Sequence, residues 1–219
     1  MPRKYIKEKS TYNPNPKFEP LNEEQARAIK AYQDNEIIFM IGAAGCGKSH
    51  LALGMAIQDI LRKERSRIIM CRPVVEAGES LGFLPGDMIE KVSVYYTPLF
   101  DCLGKICGHN ELLKNKIIES YEIAPLAYLR GRSLGDSVCI LDEAQNCTHG
   151  QLKLFLTRLD KNSKMIITGD PSQIDLPVRM SGLMETIEKL RDIEGIACVQ
   201  FSEHSIVRHP LVAKIVKRI

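Results

Sequence analysis

The chain has 219 residues, 44% hydrophobic and 26% charged, with a net charge of +3. That balance excludes global disorder, a collagen-like repeat and a long coiled coil, and the length suits one soluble domain with a large core. The net charge all resides at the start: residues 1–20 hold five Lys/Arg against two Asp/Glu, and the remainder balances at 25 against 25.

In chain order, residues 1–20, with Pro2, Pro14, Pro16 and Pro20 among Lys and Asn, read as a flexible basic arm before a folded domain over 21–219. Asn22 ahead of Glu23 and Glu24 is an N-cap signature, opening a short helix through Ala28 to Tyr32. Ile37-Ile38-Phe39-Met40-Ile41 is a continuous apolar run, as expected of a strand buried on both faces. A Gly-rich loop follows, then helical spacing from Lys48 to Leu61. Arg67 to Cys71 is a second strand, and 86–120 predicts a helical insertion broken near Pro98 and Gly108. Val138–Leu141, Lys164–Thr168 and Ile196–Phe201 are further strands, with a helix over 149–159 between the first two. Ile206, Val207, Leu211, Val212, Ile215, Val216 and Ile219 share one helical stripe, which predicts a closing helix. Strands alternating with helices predict a three-layer α/β fold: a mainly parallel sheet covered on both faces, with ligands at the carboxyl ends of its strands.

Gly42-Ala43-Ala44-Gly45-Cys46-Gly47-Lys48-Ser49 fits G-x-x-x-x-G-K-[ST], set between a strand and a helix as that motif's mechanism requires. Its glycines let successive N–H groups turn toward phosphate oxygens, and the helix N-terminus adds a positive dipole end. The expected nucleotide-binding stretch runs from Gly42 to His50, with Lys48 reaching the β- and γ-phosphates and Ser49 ligating Mg²⁺. Asp142-Glu143 follows a strand about ninety residues later. From the tip of a neighbouring strand Asp142 can hold the Mg²⁺ hydration shell, and Glu143 can deprotonate an attacking water; the competing reading of Glu143 is a helix cap. Gly169-Asp170-Pro171-Ser172-Gln173 ends another strand and so places the Gln173 amide on the same rim, where it can sense a γ-phosphate. Lys48, Asp142, Glu143 and Gln173 are the expected catalytic residues of an ATP- and Mg²⁺-dependent hydrolase.

These motifs together resemble the PhoH-like family of ATPases, itself similar to the first RecA-like domain of superfamily-one helicases. The likeness rests on the loop at 42–49, the run Asp142-Glu143-Ala144-Gln145-Asn146 and the turn Gly169-Asp170-x-x-Gln173. Arg72-Pro73, the stretch from Gly78 to Asp87, Arg130-Gly131-Arg132 and the run from Val207 to Val212 match further motifs of the family in order. The likeness thus covers residues 20–216. Cys46 and Ser49 replace threonines usual in the family's loop, and Thr97 and Ser205 stand where an arginine and an aspartate are common. By this resemblance Gln25 is the adenine-reading glutamine, since an amide can bond adenine N6 and N7 as donor and acceptor; otherwise it is an ordinary helix residue.

Phosphoryl transfer gains from a guanidinium at the transition state. Helicases supply it from a second RecA-like domain, for which this chain is too short. A head-to-tail homo-oligomer supplies an arginine in trans, and the resemblance implies a hexameric ring. Arg208, within its family motif, is the first candidate, followed by Arg179, Arg130 and Arg132. RNA or single-stranded DNA is the implied polymer partner, and Arg72 and Lys91 could line its path, although few aromatics are placed to stack on bases. The alternatives are a nucleic-acid helicase or translocase, and a nucleotide-gated scaffold with negligible turnover. Seven scattered Cys, an odd number, fit reduced thiols in a cytoplasmic protein. No run approaches the ~20 apolar residues of a membrane span. Cys102, Cys107, His109, Cys139 and Cys147 lack paired C-x-x-C spacing and read as structural rather than zinc-binding, as do His204 and His209.

Overall fold

The computed structural model describes residues 19–73, 97–108, 110–177, 180–202 and 205. Outside them fall the arm to residue 18, the stretch from Gly78 to Asp87, Lys91, the start of the insertion at 86–96, His109, Arg179, His204, and the stripe at 206–219 with Arg208 and His209.

Helix α1 (Glu23–Asp34) begins where the Asn22 side chain accepts a hydrogen bond from the Gln25 amide at 2.9 Å, and it runs two residues past the expected Tyr32. Strand β1 (Ile37–Gly42) leads into the loop before α2 (Lys48–Arg62). Next come β2 (Arg67–Cys71), α3 (Thr97–Cys107), α4 (Glu111–Glu119) and β3 (Tyr121–Ile123). The insertion does break at Gly108, which turns through φ 57. Pro98, by contrast, is the second residue of α3, a first-turn position where a missing N–H costs nothing. A 3₁₀ turn (Leu126–Leu129), β4 (Ser137–Leu141), a second 3₁₀ turn (Ala144–Asn146), α5 (His149–Leu156) and β5 (Lys164–Gly169) follow. The last described elements are α6 (Leu183–Leu190) and β6 (Ile196–Phe201).

Helix α5 starts on a capping box between Thr148 and Gln151. It ends three residues before the expected 159, because Leu134 draws the chain away: its N–H donates to the Arg158 carbonyl at 3.0 Å and it bridges Leu159. Besides the two 3₁₀ turns, one strand and one helix have no counterpart in the sequence reading. Strand β3 has only three residues, one of them charged. Helix α6 does carry Leu183, Ile187 and Leu190 at helical spacing.

All pairings are parallel and the sheet order is β3-β2-β4-β5-β1-β6. Because successive strand residues face opposite sides, the apolar runs feed two cores. Ile38, Met40, Ile68, Met70, Ile140 and Ile166 pack with Leu51, Met55 and Ile57 of α2. Phe39, Ile41, Ile69, Leu141, Met165 and Ile167 pack on the other face with Leu152 and Phe155 of α5 and Leu183 of α6. Burial on both faces explains why these strands read as unbroken apolar runs.

Candidate active site

The phosphate loop, the acid pair and the sensor turn lie at the carboxyl ends of parallel strands: the loop after β1, Arg72 after β2, Asp142 and Glu143 after β4, and Asp170 after β5. Strand β5 stands between β1 and β4, so Asp142 is not on the strand next to the loop, as expected, but one strand further. A cavity of ≈ 390 Å³ opens at this rim. Its floor is Ala44, Gly45, Gly47, Lys48, Ser49 and His50, and its far wall is Asp142, Glu143, Thr168, Gly169, Asp170 and Gln173.

Two glycines shape the loop. A Cβ on Gly42 would lie 2.5 Å from the Phe201 carbonyl oxygen of β6, and Gly47 turns through φ 79 immediately before α2. Lys48 Nζ donates to the Gly42 and Ala43 carbonyls at 2.6 and 2.9 Å. Those two residues therefore hold the lysine rather than line the cavity. Cys46 is buried beneath the loop, its Sγ 3.7 Å from the Ser202 carbonyl. His50 is half-buried, and burial, then Lys105, lowers its pKa.

Ser49 Oγ donates to Asp142 Oδ1 at 2.9 Å, and Thr168 Oγ1 donates to the same oxygen. On the other side, Arg72 Nε and Nη2 donate to Asp142 Oδ2 at 3.1 and 2.5 Å. Burial works to lower the Arg72 pKa, but the Asp142 charge and hydrogen bond outweigh it and the pKa is raised. Glu143 has left-handed backbone (φ 59), an arrangement costing about 1–3 kcal/mol that recurs at functional sites. It precedes the second 3₁₀ turn without capping it through its side chain; instead its Oε2 accepts from Gln145 Nε2 at 2.7 Å. Gln145 Oε1 accepts from the Asp170 amide at 3.0 Å. One buried amide thus joins the acid after β4 to the turn after β5. Gln173 is exposed on the cavity wall, its N–H donating to the Asp170 carbonyl at 3.0 Å.

The residues suit a magnesium–phosphate ligand. Ser49 gives its one proton to Asp142, which leaves its lone pairs for a cation. No group of three or more His, Cys, Asp or Glu among the described residues is placed to hold a metal. Mg²⁺ binds through one or two protein donors plus substrate phosphates and water, and Ser49 and Asp142 offer two such donors side by side. Asp170 is 5% exposed; its Oδ1 accepts from Ser172 N and Oγ at 3.0 and 2.6 Å, and its Oδ2 is buried without a donor.

Gln25 does not line the cavity. It is 4% exposed, its Oε1 accepting from Leu21 N at 2.8 Å and its Nε2 donating to the Cys46 carbonyl at 3.2 Å. Both ends of the amide that were expected to read adenine are engaged by the chain. Arg72 pairs with Asp142 at 2.5 Å. Arg132 pairs with Glu122 at 2.7 Å, and Arg130 is exposed. Cys102, Cys107, Cys139 and Cys147 are buried, and burial raises the Cys102 and Cys147 thiols to about 12. Sequence reasoning missed Thr168 and Gln145 as members of the site, and Arg72 as a partner of Asp142. The signals on offer were the place of Thr168 near the end of β5 and the motif runs that contain Gln145 and Arg72.

A glycine-rich loop closing on a lysine and serine, with an acidic pair two strands away and one strand between, defines a P-loop NTPase of the RecA-like type. The fold agrees with that of the large terminase from a thermophilic bacteriophage in complex with ADP: TM-score 0.57 at 13% identity, over 91% of this chain and 50% of that one. The PhoH family, described as PhoH-like protein, matches residues 17–219, and the chain belongs to it. Relatives include the PhoH-like protein of Bacillus subtilis, 52% identical over 88% of this chain and 61% of its own length. Another is protein PhoH of Escherichia coli K12, 42% identical over 87% of this chain and 54% of its own length. The chain thus spans somewhat over half the length of the curated relatives it matches. No helix among the described residues is long and apolar enough to cross a membrane.

Proposed function

We propose that this chain binds ATP with Mg²⁺ in the cavity and hydrolyses the γ-phosphate. The observation that carries the reading is the convergence of Lys48 and Ser49, at the start of α2, with Asp142 and Glu143, after β4, on one cavity. Lys48 is held by two loop carbonyls, weak partners for an ammonium that a phosphate would outcompete. Ser49 and Asp142 are the residues that would hold Mg²⁺, which supplies charge neutralisation at the β- and γ-phosphate oxygens. Glu143, oriented by Gln145, accepts the proton of an attacking water. Gln173 faces the same space and suits a sensor of the γ-phosphate.

The working unit in this proposal is a homo-oligomer, a hexameric ring as the family resemblance implies, in the cytoplasm. An arginine from the neighbouring subunit, Arg208 first, completes the site. RNA or single-stranded DNA is the proposed polymer partner. Phosphate release from ATP by the purified protein, in Mg²⁺ and in excess chelator, tests the core of this reading. Turnover in Mg²⁺ that stops with the chelator is expected. Absence of turnover in Mg²⁺, with ATP bound, favours the scaffold alternative and contradicts the proposal.

A further inference from the structure

Asp142 is surrounded by more donors than a metal-binding aspartate requires. Its Oδ1 accepts from Ser49 and Thr168, and its Oδ2 accepts twice from Arg72. A carboxylate offers about four lone-pair positions, and these four bonds fill them. The side chains are 3% exposed for Asp142 and 23% for Arg72. The arrangement is built into the sheet. Strands β2 and β4 pair with Cys71 opposite Leu141, and the Asp142 N–H donates to the Cys71 carbonyl at 2.9 Å. Residues 72 and 142 therefore leave the sheet side by side.

We propose that Arg72 is a built-in countercation of the metal site, competing with a divalent ion for Asp142 and weakening that carboxylate's hold on the ion. This inference rests on reading the cavity as a magnesium–nucleotide site. A divalent ion reaches an Asp142 oxygen directly only by expelling a donor, and the two cations repel each other across one carboxylate. The guanidinium supplies two parallel N–H groups where a lysine supplies a point charge, so the two side chains are not interchangeable here. Take away the guanidinium, and a buried carboxylate is left without its charge partner, a state that favours capture of another cation. Arg72 is thus a positioning residue: it acts through Asp142 and not on the substrate.

The test uses Mn²⁺ alone, without nucleotide, titrated into the full chain and read by electron paramagnetic resonance. Arg72→Gln should bind Mn²⁺ about tenfold or more tightly than wild type. Arg72→Lys should fall between the two. Adding Asp142→Asn to Arg72→Gln should abolish the gain. A purely structural arginine predicts no gain in metal affinity. Unchanged or weaker binding by a folded Arg72→Gln, or a gain that survives Asp142→Asn, overturns the proposal. Should Arg72→Gln fail to fold, Arg72→Lys carries the test, and affinity no greater than wild type overturns it. Because no nucleotide is present, this outcome is independent of whether the protein hydrolyses ATP.

Discussion

Gln25 contacts the underside of the loop, bonded to the Cys46 carbonyl on one end and to Leu21 on the other. From that position it braces the phosphate cradle, one bond at each end of its amide. Gln25→Ala should therefore weaken ATP and GTP by the same factor, measured by calorimetric titration of both; a loss confined to ATP would restore the base-reading role. The contrast with Lys48 and Ser49 shows what the sequence makes legible. A phosphate loop is contiguous, so eight adjacent residues announce it. Asp142 and Glu143 were legible because a hydrolase needs an acid pair after an apolar strand. The partners of those acids were not: Arg72 and Thr168 reach Asp142 through strand register, which no local pattern encodes, and Gln145 folds back on Glu143 only because of the left-handed turn between them. Gln25 illustrates the converse: the motif marks the residue, but the bonds of its amide to Leu21 and Cys46 come from tertiary packing.

At the scale of elements, α1 and the end of β6 are held together by one carboxylate. Glu24 accepts from Ser202 N and Oγ at 2.9 and 2.8 Å and from Ser205 Oγ. An aspartate at 205, common in the family, would set a second carboxylate against it. The Ser205 hydrogen bond is the largest cause holding the Glu24 pKa below the usual carboxylate value; burial opposes it and Ser202 reinforces it. A depressed folded-state pKa means that the clamp stabilises fully above the unfolded value of ~4.3 and is lost as pH falls through the folded value. Glu24→Gln should accordingly melt at a lower temperature than wild type at pH 7, and the gap should close as the pH is taken below about 4. A gap that stays constant in acid would show that the charge is irrelevant. The strands β1, β2, β4, β5 and β6 were readable within one or two residues because their runs are apolar and, for the central ones, buried on both faces. Strand β3 was not, being three residues long at the sheet edge with every position half-buried.

At the scale of the whole molecule, the parallel sheet supplies a rim on which loop, acids and sensor turn converge, and the described residues place no arginine on the cavity itself. The account assigns that arginine to a second copy of the chain. Light scattering in ATP and Mg²⁺ should give a multimer, and Arg208→Ala should keep its size and nucleotide affinity while losing turnover. A monomer with unchanged turnover in that variant removes the trans arginine. The central claim, that this cavity hydrolyses ATP with Glu143 as its base, is tested most directly by comparing steady-state phosphate release from wild type and Glu143→Gln at saturating ATP and Mg²⁺. The account predicts a fall of about 100-fold or more, the usual worth of a general base, with ATP affinity retained. Equal turnover in the two proteins would contradict it.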